Sequence, residues 1–415
     1  QKHRPEQTIL FLFSNLNPRC PLTTANMADE VKEYFKNYRL GFSRNYTKLD
    51  PAANYPLYTT HQCMVRNHLT PEIYAANFGK ATSNGVTFDK CIQPSVDFTG
   101  KINGLVAGDE ESYTVFKDIF DPVINEYHKG FGPEAKHPAP ELDASKLVDG
   151  ELDSKYVKSC RIRTGRSIRG LCLPPAISRA ERREVEKTLA DALAGLSGDL
   201  AGKYYPLIKM TPAEEKQLIE DHFLFQKPEG HLMVNSNAVR DWPDGRGIWH
   251  NKDKNFLVWV NEEDHCRVIS MQQGGSMQAT FERFCRGLKE VESLMKGKGR
   301  EFMLSDRLGY LCTCPTNIGT GLRCSVHVQV HKLCQDMERF DKIVLALGLQ
   351  KRGSAGEHTA AVDDIYDLSN MARLKKTERE FVQQVIDGVK VIVEMEKRLE
   401  AGKSIDDLLP ASMKK

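Results

Sequence analysis

NFLVWVNEEDHCRVISM, running from Asn255 to Met271, sets two apolar runs around five polar residues. Phe256–Val260 is aromatic and β-branched, which suits a pleated and buried strand. Glu262–His265 reads as a tight acidic turn, and Arg267–Met271 returns as a second strand. The stretch therefore predicts a β-hairpin, not a helix. Two more segments, LGYLCTC and RCSVHVQV, have the same β-rich character.

Helical signals surround these strands. SRAERREVEKTLADALAGL opens on a Ser178/Glu181 capping box and carries Val185, Leu189, Leu193 and Leu196 at helical spacing. A long C-terminal helix shows Phe381, Val385, Val389, Ile392 and Leu399 on one face. Thr70–Phe78 and Glu110–His128 each read as one capped helix within a region of short helices. Gly130–Asp153, rich in Pro, Gly and polar residues, reads as a linker. The fold class is α+β: a small all-helical N-terminal domain (27–128), the linker (129–153), and a larger domain (154–415) with a mainly antiparallel sheet flanked by helices. Residues 1–26, with the apolar run Ile9–Phe13, read as a flexible extension ahead of the ordinary start at Met27; a mitochondrial transit-like peptide is the alternative.

The 415 residues carry 58 basic and 56 acidic side chains, closely interspersed, which argues against a nucleic-acid or membrane surface. No apolar run reaches the roughly 20 residues of a membrane span. Eleven cysteines without a regular framework suggest reduced thiols and a cytoplasmic protein, so the sequon at Asn45 is read as chance. Both usual phosphate-cradling glycine motifs are absent, and neither CxxC nor HExxH occurs.

Arginine is what remains. Arg161 and Arg163 lie two apart, so on a strand they share a face. Arg267 begins a strand, Arg323 stands before CSVHV, and Arg352 opens the small-residue loop KRGSAGEHTAA (351–361). Converging from a sheet, such groups can hold a polyphosphate through bidentate forks. Two carboxylates complete the pattern: Glu263 in the acidic turn and Glu357 at the end of the loop. Together they suggest ATP and a cationic acceptor in one site. Cys314, before Pro315, reads either as a thiol of lowered pKa at a turn or as a buried inert cysteine. The three tryptophans, Trp242, Trp249 and Trp259, read as packing.

CRIRTGRSIRG, GIWHNKDKNFLVWVNEEDHCRVISM, CPTNIGTGLRCSVHV and RGSAGEHTAA closely resemble the phosphagen (guanidino) kinases, from about Met27 to Ala411. The resemblance implies that two domains close over MgATP and a guanidino compound. It implies nucleotide contacts at Ser159, Arg161, Arg163, His222, Arg267, Arg323, His327, Arg352 and Asp367. It makes Glu263 and Glu357 the carboxylates that align the guanidinium, with Cys314 as the reactive thiol beside it. Mg²⁺ is expected on the nucleotide, with no protein side-chain ligand. A free guanidinium has a pKa of roughly 13.8, so the glutamates orient it first and accept its proton late.

Within the family the body looks most like creatine kinases, with three departures. Glu357 replaces a small apolar residue, the 96–113 loop is short, and Tyr127 is the arginine-kinase choice. A shorter loop leaves room for a longer acceptor, whose carboxylate the amides of Ile102, Asn103, Gly104, Leu105 and Val106 would receive. Val106, where arginine kinases usually carry Tyr, departs from that pattern. The expected acceptor is L-arginine, with glycocyamine second and taurocyamine or lombricine behind; a non-catalytic anion-binding protein is the distant alternative. Monomer and homodimer both remain open.

Overall fold

The turn between the two apolar runs closes as the hairpin reading requires. Asn261 takes a left-handed backbone (φ 56°) and its amide donates to the His265 carbonyl at 2.9 Å. The structure, a computed structural model, describes residues 50–221, 223–353 and 361–413. Residues 1–49, His222, 354–360 with Glu357, and 414–415 lie outside the described residues.

Ten strands are present among the described residues: β1 (Val157–Arg166), β2 (Gly202–Pro206), β3 (Gly247–Asn251), β4 (Phe256–Val260), β5 (Cys266–Gln273), β6 (Leu304–Ser305), β7 (Gly309–Tyr310), β8 (Leu322–Gln329), β9 (Leu349–Arg352) and β10 (Ile365–Asn370). β6 and β7 pair only with each other. The other eight form one sheet in the order β2-β3-β4-β5-β1-β8-β10-β9, antiparallel at every step. LGYLCTC contributes only the two residues of β7 and then turns, so that strand expectation holds for a fraction of its length.

The helical N-terminal part holds α1 (Pro51–Asn54), α2 (Met64–His68), α3 (Pro71–Phe78), α4 (Phe88–Asp97), α5 (Ser112–Val115) and α6 (Lys117–Tyr127). Thr70 caps α3 with its hydroxyl accepting from the Ile73 amide, and Pro71 sits where its missing N–H costs nothing. The single helix expected over 110–128 is two. Phe116 leaves the helical backbone region (φ −109°, ψ 29°) and buries its ring 5.5 Å from that of Phe88.

The remaining helices are α7 (Arg179–Leu193), α8 (Pro212–Glu220), α9 (His231–Asn235), α10 (Met277–Gly297), α11 (Met337–Ala346) and α12 (Glu378–Glu400). None is long and apolar enough to cross a membrane. α7 begins with the predicted Ser178/Glu181 capping box.

Alternation sorts the sheet into two faces. Cys160, Ile162, Val258, Val268, Cys324, Val326 and Leu368 join one buried core with the apolar sides of α7, α10 and α12. The opposite face carries a second apolar cluster at β3–β5, with Ile248, Leu257, Trp259 and Ile269, and the charges beside it. The linker is strapped along α12: the Glu141 amide donates to Glu378 at 2.9 Å, Val148 and Gln383 exchange two hydrogen bonds, and Asp153 pairs with Lys397 at 2.6 Å.

Candidate active site

Register decides which side chains meet on the charged face. On β1, Ser159, Arg161 and Arg163 alternate with the core residues. Across the ladders, Arg161 lies opposite Met271 and Ser325, and Arg163 opposite Ile269 and Arg323. Ser159 lies opposite His327, and Asp367 opposite both His327 and Arg352. Trp259 on β4 lies opposite Arg267 on β5. Because cross-strand partners share a face, the spacing of Arg161 and Arg163 is enough to carry the whole set to one surface. Eight of the nine expected nucleotide residues, Ser159, Arg161, Arg163, Arg267, Arg323, His327, Arg352 and Asp367, line one cavity of about 900 Å³.

The electrostatics of this floor are uneven. Arg323 is neutralised by Asp367 at 2.6 Å, and Ser159 bonds His327 at 2.8 Å. Arg161 and Arg163 have no carboxylate within ion-pair distance among the described residues, and the Nε of Arg161 is buried without a partner. Both residues are half-buried and line the cavity. Burial, then Arg323, lowers the Arg161 pKa to about 10, and burial, then Arg267 and Arg323, pushes Arg163 well down. Arginine does not give up its proton under these conditions. The shifts register buried guanidinium groups first and crowded positive charge second, an environment that a bound anion would relieve. Trp259, read from the sequence as packing, forms a wall with its ring 5.4 Å from the Arg161 guanidinium. Its cross-strand relation to Arg267 was the signal that places it there.

Arg267 joins this floor to the acidic turn. It pairs with Glu262 at 2.9 Å and more closely with Glu263, while Asp264 lies 3.9 Å away. Burial opposes its charge, yet Glu262, Glu263 and Asp264 together outweigh burial and raise its pKa. Glu262 lines the cavity and was not singled out in the sequence, although it shares the turn with Glu263.

Glu263 and Cys314 come together through the segment 313–317. The Thr313 hydroxyl donates to the Glu263 carbonyl at 2.6 Å, its amide donates to Asp264 at 2.8 Å, and Asn317 donates to the Glu263 carboxylate at 3.0 Å. Cys314 is buried; burial, then the Glu263 charge, pushes its thiol up to about 12, against the lowered pKa considered from the sequence. Thr316 at 3.0 Å and the Asn103 amide at 3.3 Å contact its sulfur.

The 102–106 loop therefore reaches this corner, but not as five free amides. The Leu105 amide donates to the Asn103 side chain at 2.7 Å and the Val106 amide to the Cys91 carbonyl at 3.0 Å; both residues are fully buried. The expected carboxylate contacts at Leu105 and Val106 thus meet amides that are already bonded, one inside the loop and one to Cys91 on α4. The next residue, Ala107, donates to the Thr313 carbonyl at 2.8 Å. Among the described residues no group of three or more His, Cys, Asp or Glu side chains is gathered at metal-binding spacing.

The family model described as the ATP:guanido phosphotransferase C-terminal catalytic domain matches residues 184–399, and that of the N-terminal domain matches residues 59–125. A lombricine kinase from Eisenia fetida is 67% identical over 369 residues, 88% of this chain and 99% of its own length. A glycocyamine kinase from Hediste diversicolor is 59% identical, covering 86% of this chain and 92% of its own. A crystal structure of lombricine kinase superposes with a TM-score of 0.86 at 66% identity, covering 89% of this chain and all of that one. The duplicated taurocyamine kinase of Schistosoma mansoni, with bound transition-state-analogue components, superposes with a TM-score of 0.75 at 41% identity, over 82% of this chain and 47% of that one. With both family domains matched in order along the chain, the chain belongs to the ATP:guanido phosphotransferase family.

Proposed function

We propose that this protein transfers the γ-phosphoryl group of MgATP reversibly to the guanidino group of lombricine, with glycocyamine as the second acceptor. The observation that carries the transfer is the arginine floor, in which Arg163 opposes Arg323 directly and neither Arg161 nor Arg163 has a carboxylate partner among the described residues. The acceptor rests on the relatives, which are named for lombricine and glycocyamine. L-Arginine, expected from Tyr127 and the short loop, gives way to them. Tyr127 is exposed, its ring edge-on to that of its neighbour His128, and two of the five loop amides are already bonded to protein, so neither feature needs L-arginine to explain it.

In this reading Arg161, Arg163, Arg267, Arg323 and Arg352 grip the nucleotide phosphates, with Ser159, His327 and Asp367 setting the floor around them. Mg²⁺ enters on the nucleotide and adds neutralising charge during transfer. Glu263 already holds a guanidinium, that of Arg267, and the acceptor's planar group takes up the same kind of paired contact. Arg267 keeps Glu262 as the exchange occurs. Glu263 orients the acceptor nitrogen toward the γ-phosphorus and takes its proton late, while Cys314, buried beside it, stays a neutral thiol. Glu357, from the sequence, is the second aligning carboxylate.

The test is an ADP-release assay coupled to NADH oxidation, with MgATP and each of lombricine, glycocyamine, taurocyamine, creatine and L-arginine. Lombricine is expected to give the highest kcat/KM and L-arginine a rate at least about tenfold lower. Preference for L-arginine would overturn the acceptor, and no turnover with any of them would favour an anion-binding protein without catalysis.

A further inference from the structure

Phe223–Glu229 forms one wall of the arginine-lined cavity. Immediately after it the chain leaves the cavity, and α9 packs on α4 of the helical part. Two contacts make this junction. The His231 ring stacks on Phe98 with centroids 3.8 Å apart and planes 14° from parallel. Lys90 Nζ then donates to the Ser236 carbonyl at 2.8 Å.

Phe98 is not an ordinary helix residue. It stands at the C-terminal cap of α4, the first residue of the loop that carries Ile102–Val106. Its ring folds over Gly100, where a Cβ would collide with it, so the loop holds the ring as firmly as the helix does. The far end of the same loop is pinned to the catalytic corner through Asn103 on Cys314 and Ala107 on Thr313. One end of the acceptor loop thus touches the catalytic corner and the other touches His231, two residues beyond the nucleotide wall. Phe98 is half-buried and His231 exposed, so this stack is poorly placed to serve as a core contact.

We propose that the Phe98–His231 stack is a positioning contact that carries movement of the nucleotide wall into the acceptor loop, so that nucleotide binding presets the loop before the acceptor arrives. The proposal rests on the cavity being the nucleotide site. A stacked pair that joins two separate backbone segments couples them when displacement of one is cheaper with the other following than with the stack broken. The coupling is reciprocal: an acceptor that orders the loop also tightens the nucleotide wall.

Hydrogen exchange with MgADP alone tests it on the full chain. In the wild type, exchange is expected to slow in both 223–229 and 98–107, by on the order of fivefold in the latter, the low end of ordinary coupling. In His231→Ala, 223–229 is expected to slow as before while 98–107 loses its response. His231→Phe keeps a stackable ring and is expected to restore it, which mere loss of a surface side chain would not explain. A response of 98–107 in His231→Ala equal to wild type overturns the proposal, as does no response there in the wild type while 223–229 slows. If MgADP slows neither segment, the nucleotide site itself is misassigned and the coupling falls with it.

Discussion

At Arg163 the register sets two arginines opposite each other across β1 and β8, and of the two only Arg323 has a carboxylate partner, Asp367, so Arg163 carries uncompensated charge until an anion arrives. Arg163→Met is therefore expected to raise the thermal midpoint of the ligand-free protein by a few degrees while weakening MgADP binding about tenfold, the equivalent of about 1.4 kcal/mol. Scanning calorimetry beside titration calorimetry reads both, and a lowered midpoint would argue that Arg163 is structural. Arg323→Ala is expected to cut turnover by roughly 10³-fold, since it removes both a phosphate contact and the partner of Asp367. His265 offers a pH test away from the arginines. Fully buried, its Nδ1 accepts from the Ile168 amide and its Nε2 donates to the Cys172 carbonyl, each at 2.9 Å, so the neutral ring is satisfied and burial lowers its pKa to about 4. The unfolded chain then binds a proton that the native chain refuses. Its contribution to stability is present above the unfolded value of about 6.5 and lost as pH falls toward 4, at about 1.4 kcal/mol per pH unit. Denaturant melts of His265→Gln between those limits are expected to show a shallower acid slope; an unchanged slope would remove His265 as its source.

The elements show how far the sequence could be read. The hairpin at 256–273, the capping box of α7 and the shared face of Arg161 and Arg163 follow from local chemistry, because alternation and capping are decided within a few residues. What failed to show was set by distant partners. Trp259 and Glu262 belong to the cavity because β4 and β5 pair in one register, and the break at Phe116 follows from a ring buried against Phe88. The occupied amides of Leu105 and Val106 depend on Asn103 in the same loop and on Cys91 of α4. Gly165 is a further case: on β1, a Cβ there would lie 2.7 Å from Asp264 Oδ2 and 3.4 Å from Cys312. Burial, then Glu263, already pushes Asp264 up to about 7. Gly165→Ala is expected to destabilise the fold by on the order of 1–3 kcal/mol by overpacking and to displace the acidic turn, raising the acceptor KM more than that of MgATP. Equal changes in both would detach the turn from acceptor binding.

Across the whole molecule, the sheet divides labour by face. One face is core against α7, α10 and α12, and the other is an arginine floor ending in the acidic turn, with the helical part bringing its loop to the same corner. The sequence makes the family plain, because the arginines and the acidic turn lie in contiguous motifs. The acceptor is less legible, since it depends on a loop whose amides are partly spent on itself and on Glu357, outside the described residues. The central claim is that the floor delivers phosphoryl to a guanidino nitrogen and not to water. Phosphorus NMR of the protein with MgATP and lombricine tests it most directly. A resonance of an N-phosphorylated guanidine is expected to grow as the γ-phosphoryl signal falls, and to disappear with Arg323→Ala. Growth of inorganic phosphate alone, or an unchanged spectrum with every guanidino acceptor, would contradict the account.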